Sequence, residues 1–327
     1  MEQAASITER LIAGERSALA RLISWAENGD DRFAPALAQV FGRVGSAWRT
    51  GITGPPGAGK STLVNELARL HRDAQRTVGV LAVDPSSPFT GGALLGDRIR
   101  MEERTLDPGV FIRSMASRGS HGGLACASID ACDVMDAFGF DELLVETVGV
   151  GQAEYDIVSA ADTVLVVLCP GAGDGIQAMK SGLLETADVL VVNKCDLHGA
   201  DRLLSDLEEA LELRSLAEGA WCPKVVACSA GKAEGVEGVL AAIGEHRAFI
   251  AGQPLERARA EMRAEQVRRV VGERLVETLW NEHGYRTETR RLLASCPSPH
   301  AAAEEALARI LDQVQSIAEK LEPSTGS

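Results

Sequence analysis

Gly54-Pro55-Pro56-Gly57-Ala58-Gly59-Lys60-Ser61 follows directly on the run Trp48-Arg49-Thr50-Gly51-Ile52-Thr53. That order decides the fold: a strand, a glycine-rich turn, then Lys-Ser opening a helix. Glycines let successive backbone N–H groups turn toward one centre, and a helix beginning near Lys60 adds its positive dipole end, so the segment reads as an anion cradle. In such a loop Gly54, Pro55, Gly57, Ala58 and Gly59 surround the phosphates and Lys60 reaches the outer two. The Ser61 hydroxyl is placed to ligate Mg²⁺, and Thr62 follows in the first helical turn.

Short apolar runs alternate with helical segments on either side of this loop. The expected strands are 48–53, 78–83, 110–112, 143–146, 164–169, 189–193 and 225–228. Continuous apolar runs separated by helices imply an α/β fold with a mostly parallel sheet covered by helices, here a P-loop NTPase. Ligands on such sheets bind beyond the carboxyl ends of the strands, and each motif discussed below sits just after one of these runs. Residues 1–46 read as an N-terminal helical extension, with Ile7, Leu11, Leu19, Leu22 and Ile23 at helical spacing and Asn28-Gly29-Asp30-Asp31 as a break. Residues 47–252 form the predicted nucleotide domain, and 253–327 a C-terminal helical arm. In the arm Val267, Val271, Leu275 and Leu279 mark one apolar face, and Leu307, Ile310, Leu311, Val314, Ile317 and Leu321 another. Such faces pack on the chain's own domain or against a second subunit; periodicity does not choose.

The chain has 327 residues, 45% hydrophobic and 24% charged, which suits a globular protein with a large core. Its 33 basic against 47 acidic residues leave a formal charge of −14. That balance argues against nucleic acid or an anionic membrane as partner, since both need a basic footprint. No apolar stretch approaches the roughly 20 residues of a membrane helix, and Met1-Glu2-Gln3-Ala4-Ala5 lacks a signal-like start, so a cytoplasmic location is expected. The seven cysteines form no Cys-x-x-Cys pair, which suggests neither a disulfide framework nor a closed zinc site.

Glu146 ends the buried-strand run Leu143-Leu144-Val145 and is followed by Thr147-Val148-Gly149. It reads as the acid held near Mg²⁺, and Gly149 as the hinge whose N–H meets the γ-phosphate. Val150 stands where a water-orienting glutamine is common, so slow intrinsic hydrolysis is expected. Asp84 closes the strand 78–83 and opens a Gly/Pro-rich loop that carries Asp97, Arg98 and Arg100; Asp84 and Asp97 are candidate Mg²⁺ ligands or second-sphere acids. Asn193-Lys194-Cys195-Asp196 follows 189–192 and selects guanine. The Asp196 carboxylate accepts from the ring N–H and exocyclic amine, Asn193 offers an amide, and the Lys194 stem packs over the base. Ser229 and Ala230, after the last strand, complete the base site, with the Ala230 N–H directed at the guanine oxygen. The ligand is therefore GTP or GDP. A further loop, Gly171 to Lys180, spaces Asp174, Gln177 and Lys180 along one helical face, readable either as a solvated face or as part of the site.

Together these segments resemble the MeaB/ArgK family of P-loop GTPases. The likeness is carried by Asp84-Pro85-Ser86-Ser87-Pro88, Gly96-Asp97-Arg98, Phe111-Ile112-Arg113-Ser114-Met115-Ala116-Ser117-Arg118-Gly119, Glu146-Thr147-Val148-Gly149-Val150-Gly151-Gln152 and Pro170-Gly171-Ala172-Gly173-Asp174. The resemblance implies a GTPase chaperone of an adenosylcobalamin-dependent (B12-dependent) acyl-CoA mutase of the methylmalonyl-CoA mutase type. Such a protein gates cofactor loading, protects the mutase, and forms a homodimer through the C-terminal arm. It also implies Mg²⁺ near Ser61, Asp84, Asp97 and Glu146, and a partner-sensed switch containing Asp174, Gln177 and Lys180, so that Lys180 joins Lys60, Glu146 and Gly149 as a catalytic candidate. Gly175-Ile176 departs from the acidic-then-aliphatic pair more usual there. The alternatives are a GTPase metallochaperone for nickel enzymes, against which the six scattered histidines speak, and a P-loop kinase linked to amino-acid transport, against which Asn193 and Asp196 speak.

Overall fold

The structure, a computed structural model, describes residues 2–85, 106–117, 123–147, 160–171, 183–214, 217, 219–251, 255–282 and 284–321. Among these, seven strands form one parallel sheet: β1 (Trp48–Thr53), β2 (Val78–Pro85), β3 (Val110–Ser117), β4 (Glu142–Thr147), β5 (Thr163–Leu168), β6 (Val189–Val192) and β7 (Lys224–Ala227). Their order is β3-β2-β4-β1-β5-β6-β7. The central strand β1 pairs with β4 on one side, Ile52 opposite Glu146, and with β5 on the other, Ile52 opposite Leu165. Because β1, β4, β6 and β7 run the same way, the motifs that follow them all emerge at one end of the sheet.

Side chains alternate across the sheet with period two. Leu165, Val167, Val189 and Val191 face a core closed by α4 (Lys60–Asp73) and α7 (Val236–Ala251), where Leu63, Val64, Leu67, Val239 and Ile243 are buried. Their neighbours Val164, Val166, Leu168, Leu190 and Val192 face α6 (Ala200–Glu212) through Ala200 and Leu207. Toward β2 and β4 that second face is covered by α5 (Gly123–Phe138) together with α1 (Glu2–Ile12), α2 (Arg16–Asn28) and α3 (Phe33–Val40). The N-terminal helices bury Leu11, Leu19, Leu22, Ile23 and Phe33 in the same core as Leu81, Val83, Leu143 and Val145. They are part of the sheet's cover. The expected break is present: Gly29 ends α2 in the left-handed region at φ 63°. A second break, at Ala13-Gly14-Glu15, separates α1 from α2.

The third strand runs five residues beyond the expected 110–112. In this extension Arg113 is held by tertiary bonds: its Nη2 donates to Glu27 Oε2 at 2.9 Å and to Ser24 Oγ at 3.0 Å, both on α2. At the amino ends of the strands lies a buried ionic cluster. Arg49 donates to Asp133 at 2.7 Å and Asp136 at 3.3 Å, and Arg263 donates to both Asp133 oxygens at 2.6 Å. Asp136 also accepts from the N–H groups of Gly45, Ser46 and Ala47, fixing the lead into β1. Arg259 reaches Asp162 at 2.7 Å, just ahead of β5. Arg259 and Arg263 lie on α8 (Leu255–Glu277).

The chain divides into two compact units, Met1–Arg263 and Ala264–Ser327. The second holds the rest of α8, a wider turn at Thr278–Glu282, then α9 (Tyr285–Ser295) and α10 (Pro299–Leu321). Leu292, Ala302 and Ala306 form its small core, and Arg309 bridges Glu288 and Glu305. Val267, Val271, Leu275, Leu307 and Leu311 are exposed. No described helix is long and apolar enough to cross a membrane.

Candidate functional site

The loop between β1 and α4 depends on glycine at two close approaches. Gly54 has φ 135°, and a Cβ there would sit 2.1 Å from the Val167 carbonyl oxygen on β5. Gly59 caps α4 at φ 89°, and a Cβ there would lie 2.4 Å from Asn193 Nδ2. Backbone without side chains is what lets the cradle seat against its neighbours. Lys60 is buried, and its ammonium donates to the carbonyls of Gly54 at 2.6 Å and Pro55 at 3.1 Å, which aims its charge into the hollow of the loop. Ser61 Oγ donates to Glu146 Oε1 at 2.7 Å, bringing the start of α4 to the end of β4. Thr62 stands in the same first turn. Beside them Thr147 Oγ1 donates to Thr53 Oγ1 at 3.0 Å, a buried pair at the tops of β4 and β1.

Asn193 follows β6 and ties three loops together. Its Nδ2 donates to the carbonyls of Ala58 at 2.8 Å and Gly59 at 3.4 Å, while Oδ1 accepts from the Ala230 N–H at 3.0 Å and the Cys228 thiol at 3.6 Å. Lys194 adopts φ 58°, a left-handed conformation uncommon for a residue with a Cβ, and its Nζ donates to the Gly57 carbonyl at 2.8 Å. Asp196 Oδ1 accepts from Ser229 Oγ at 2.7 Å, and its Oδ2 lies 3.0 Å from Lys232 Nζ. The Ser229 hydrogen bond, with help from Lys232, holds the Asp196 carboxyl below its ordinary range. The result is an ionised acceptor beside a cradle that carries a buried ammonium.

The structure therefore brings together Gly54 to Thr62, Glu146, Asn193, Lys194, Asp196, Ser229 and Ala230 at the carboxyl ends of β1, β4, β6 and β7. Asp84 lies near the end of β2, in register with Ala116 of β3. Asp97, Gly149 and Lys180 lie outside the described residues, as do Arg98, Arg100, Asp174 and Gln177. Three contacts were not anticipated from sequence: the Thr53–Thr147 pair, the Cys228 thiol on Asn193, and Lys232 on Asp196. The signal for Lys232 was its place in Ser229-Ala230-Gly231-Lys232, close enough to the base-site serine to share a turn.

Residues 19–284 match the family model described as methylmalonyl Co-A mutase-associated GTPase MeaB. A putative GTPase of Pyrococcus abyssi is 44% identical over 320 residues, which are 96% of this chain and 98% of that protein. The GTPase ArgK of Escherichia coli is 31% identical over 315 residues, 94% of this chain and 95% of its own. Among solved structures, one titled as an LAO/AO transport system kinase superposes with a TM-score of 0.73 at 26% identity, covering 95% of this chain and 98% of that one. The family match over residues 19–284 and relatives of this identity and coverage show the family: the protein is a guanine-nucleotide-binding, GTP-hydrolysing enzyme, and the chain belongs to the MeaB family of P-loop GTPases.

Proposed function

We propose that this GTPase is the chaperone of an adenosylcobalamin-dependent acyl-CoA mutase of the methylmalonyl-CoA mutase type, gating cofactor loading and protecting the mutase. The observation that carries the reading is the match of residues 19–284 to a family described as mutase-associated. In this reading Lys60 neutralises the outer phosphates from within the loop. Asp196 accepts from the guanine edge, Asn193 and Ala230 hold the base pocket in register with the cradle, and the Lys194 stem covers the base. Gly149 and Lys180 act at the γ-phosphate and at the partner-sensed switch.

Mg²⁺ suits the donor set: the Ser61 hydroxyl and Glu146 carboxylate, 2.7 Å apart at the mouth of the cradle, are hard oxygen ligands of the kind this ion takes. Ser61 and Glu146 would hold it, with Asp84 and Asp97 as the further acids. When bound, the ion supplies positive charge to the β and γ phosphates. We assign residues 1–46, 47–252 and 253–327 to the helical extension, GTPase domain and arm, with a homodimer formed through the exposed apolar faces of the arm and a cytoplasmic location.

The test is GTP hydrolysis with Mg²⁺, with and without a B12-dependent acyl-CoA mutase from the same cell. Slow GTP turnover that rises at least about tenfold with the mutase is expected, as for GTPases whose transition state is completed by a partner. Turnover unmoved by any such mutase would remove the client from the proposal while leaving the GTPase.

A further inference from the structure

Lys232 ends the short 3₁₀ turn Ala230–Lys232 that follows β7. The turn is closed by the Lys232 N–H on the Ser229 carbonyl at 2.9 Å, the Ala233 N–H on Ala230 at 3.2 Å, and the Ser229 N–H on Glu234 at 2.8 Å. Ala233 sits at φ 55°, a left-handed conformation that residues with a Cβ seldom take, so the turn is imposed by these bonds against the preference of its residue. Its effect is to send Lys232 Nζ back to Asp196 Oδ2 at 3.0 Å while Ser229, from the same turn, takes Oδ1 at 2.7 Å.

A carboxylate accepts in about four directions, two on each oxygen. Ser229 and Lys232 occupy one on each, which leaves one on each for a ligand. Guanine presents two parallel donors, N1–H and the 2-amino group, and meets both only if the two carboxylate oxygens lie together along its edge. Hypoxanthine presents N1–H alone and tolerates a rotated carboxylate. Asp196 and Lys232 stabilise each other's charge, the acid lowered and the ammonium raised. Their side chains are 29% and 53% exposed, and a pair so open to water adds little to folding.

We propose that Lys232 is a specificity-determining residue of the base site, a positioning group that fixes the second oxygen of Asp196 so that the carboxylate meets guanine with both oxygens. This rests on the assignment of the base to Asp196.

The test is equilibrium binding of GDP, IDP and XDP to the full chain and to K232M, K232R and D196N. The K232M variant is expected to unfold at the same temperature as the parent. It should bind GDP about fivefold more weakly and IDP with little change, so that the GDP-over-IDP preference shrinks, while K232R keeps that preference. D196N should lose GDP and gain XDP, because its amide reverses one hydrogen bond. An unchanged GDP-to-IDP ratio in K232M beside a D196N that switches would overturn the role of Lys232 alone, as would tighter GDP binding, the mark of a lysine that competes with the base. Retention of GDP by D196N would overturn the base assignment and this inference with it. A K232M variant that weakens GDP and IDP equally would reduce Lys232 to a structural brace.

Discussion

Gly57 and Gly59 separate two demands on a glycine. Both have positive φ, 78° and 89°, but a Cβ at Gly57 meets nothing within 4 Å while one at Gly59 meets Asn193 Nδ2 at 2.4 Å. Gly57→Ala therefore adds only backbone strain, about 1–2 kcal/mol. Gly59→Ala adds the same strain and pushes away the amide that ties the cradle to the base loop. Gly59→Ala should weaken GDP binding at least about tenfold and more than Gly57→Ala does; equal losses, measured by titration, would show that Asn193 adapts freely. At this scale much was legible. Lys60 and Ser61 open the helix after the loop that follows β1, and Glu146 and Asn193 stand at strand ends, all in fixed local order, and local order is what sequence displays. The partners of Asn193 and Asp196 were not, because Ala58, Cys228 and Lys232 reach them only after three separate strands align.

Among the elements, α4 carries a histidine with a pH signature. His71 is buried, its Nε2 makes no hydrogen bond among the described residues, and burial, aided by Arg76 and Arg247, lowers its pKa to about 4. A base whose folded-state pKa is depressed is protonated more readily in the unfolded chain. Its contribution is intact above the ordinary value near 6.5 and is lost as pH falls from there toward 4. His246 on α7, also lowered to about 4 chiefly by burial, acts in the same sense. Asp188, raised by burial to about 6, opposes them, since its contribution fades as pH rises through that value. Replacing His71 with Leu should remove about 1–2 kcal/mol of the stability lost between pH 7 and pH 5, read from urea unfolding at the two pH values. An unaltered pH dependence would mean that His71 is solvated or paired in solution. Strands showed in the sequence as continuous apolar runs, and β3 appeared too short because Arg113 reads as a terminator until Glu27 and Ser24 are there to meet it. The helix α9 went unread because Tyr285-Arg286-Thr287-Glu288-Thr289-Arg290-Arg291 has little apolar periodicity.

For the molecule as a whole, the ionic cluster around Asp133 joins residues far apart in the chain. Asp133 is fully buried and receives both Arg49 and Arg263, so Asp133→Ala leaves two guanidinium groups without their shared acceptor. A loss of about 3 kcal/mol or more is expected in urea unfolding; a loss below about 1 kcal/mol would mean that water enters and replaces the carboxylate. Nothing in the run of residues around Asp133 announces this cluster, since it exists only once β1, α5 and α8 have come together. The tie made by Asn193 has a consequence of another kind, for synthesis. It links the cradle beginning at Gly54 to Ala230, beyond the last strand of the sheet. On the ribosome the loop at Gly54 emerges early, but the pocket that recognises the base waits until the chain has passed Lys232 and β7 has joined the sheet edge, because pairings this distant in sequence close late. Guanine nucleotide thus meets a finished site only on a domain whose sheet is complete, and its capture can mark the end of that domain's folding.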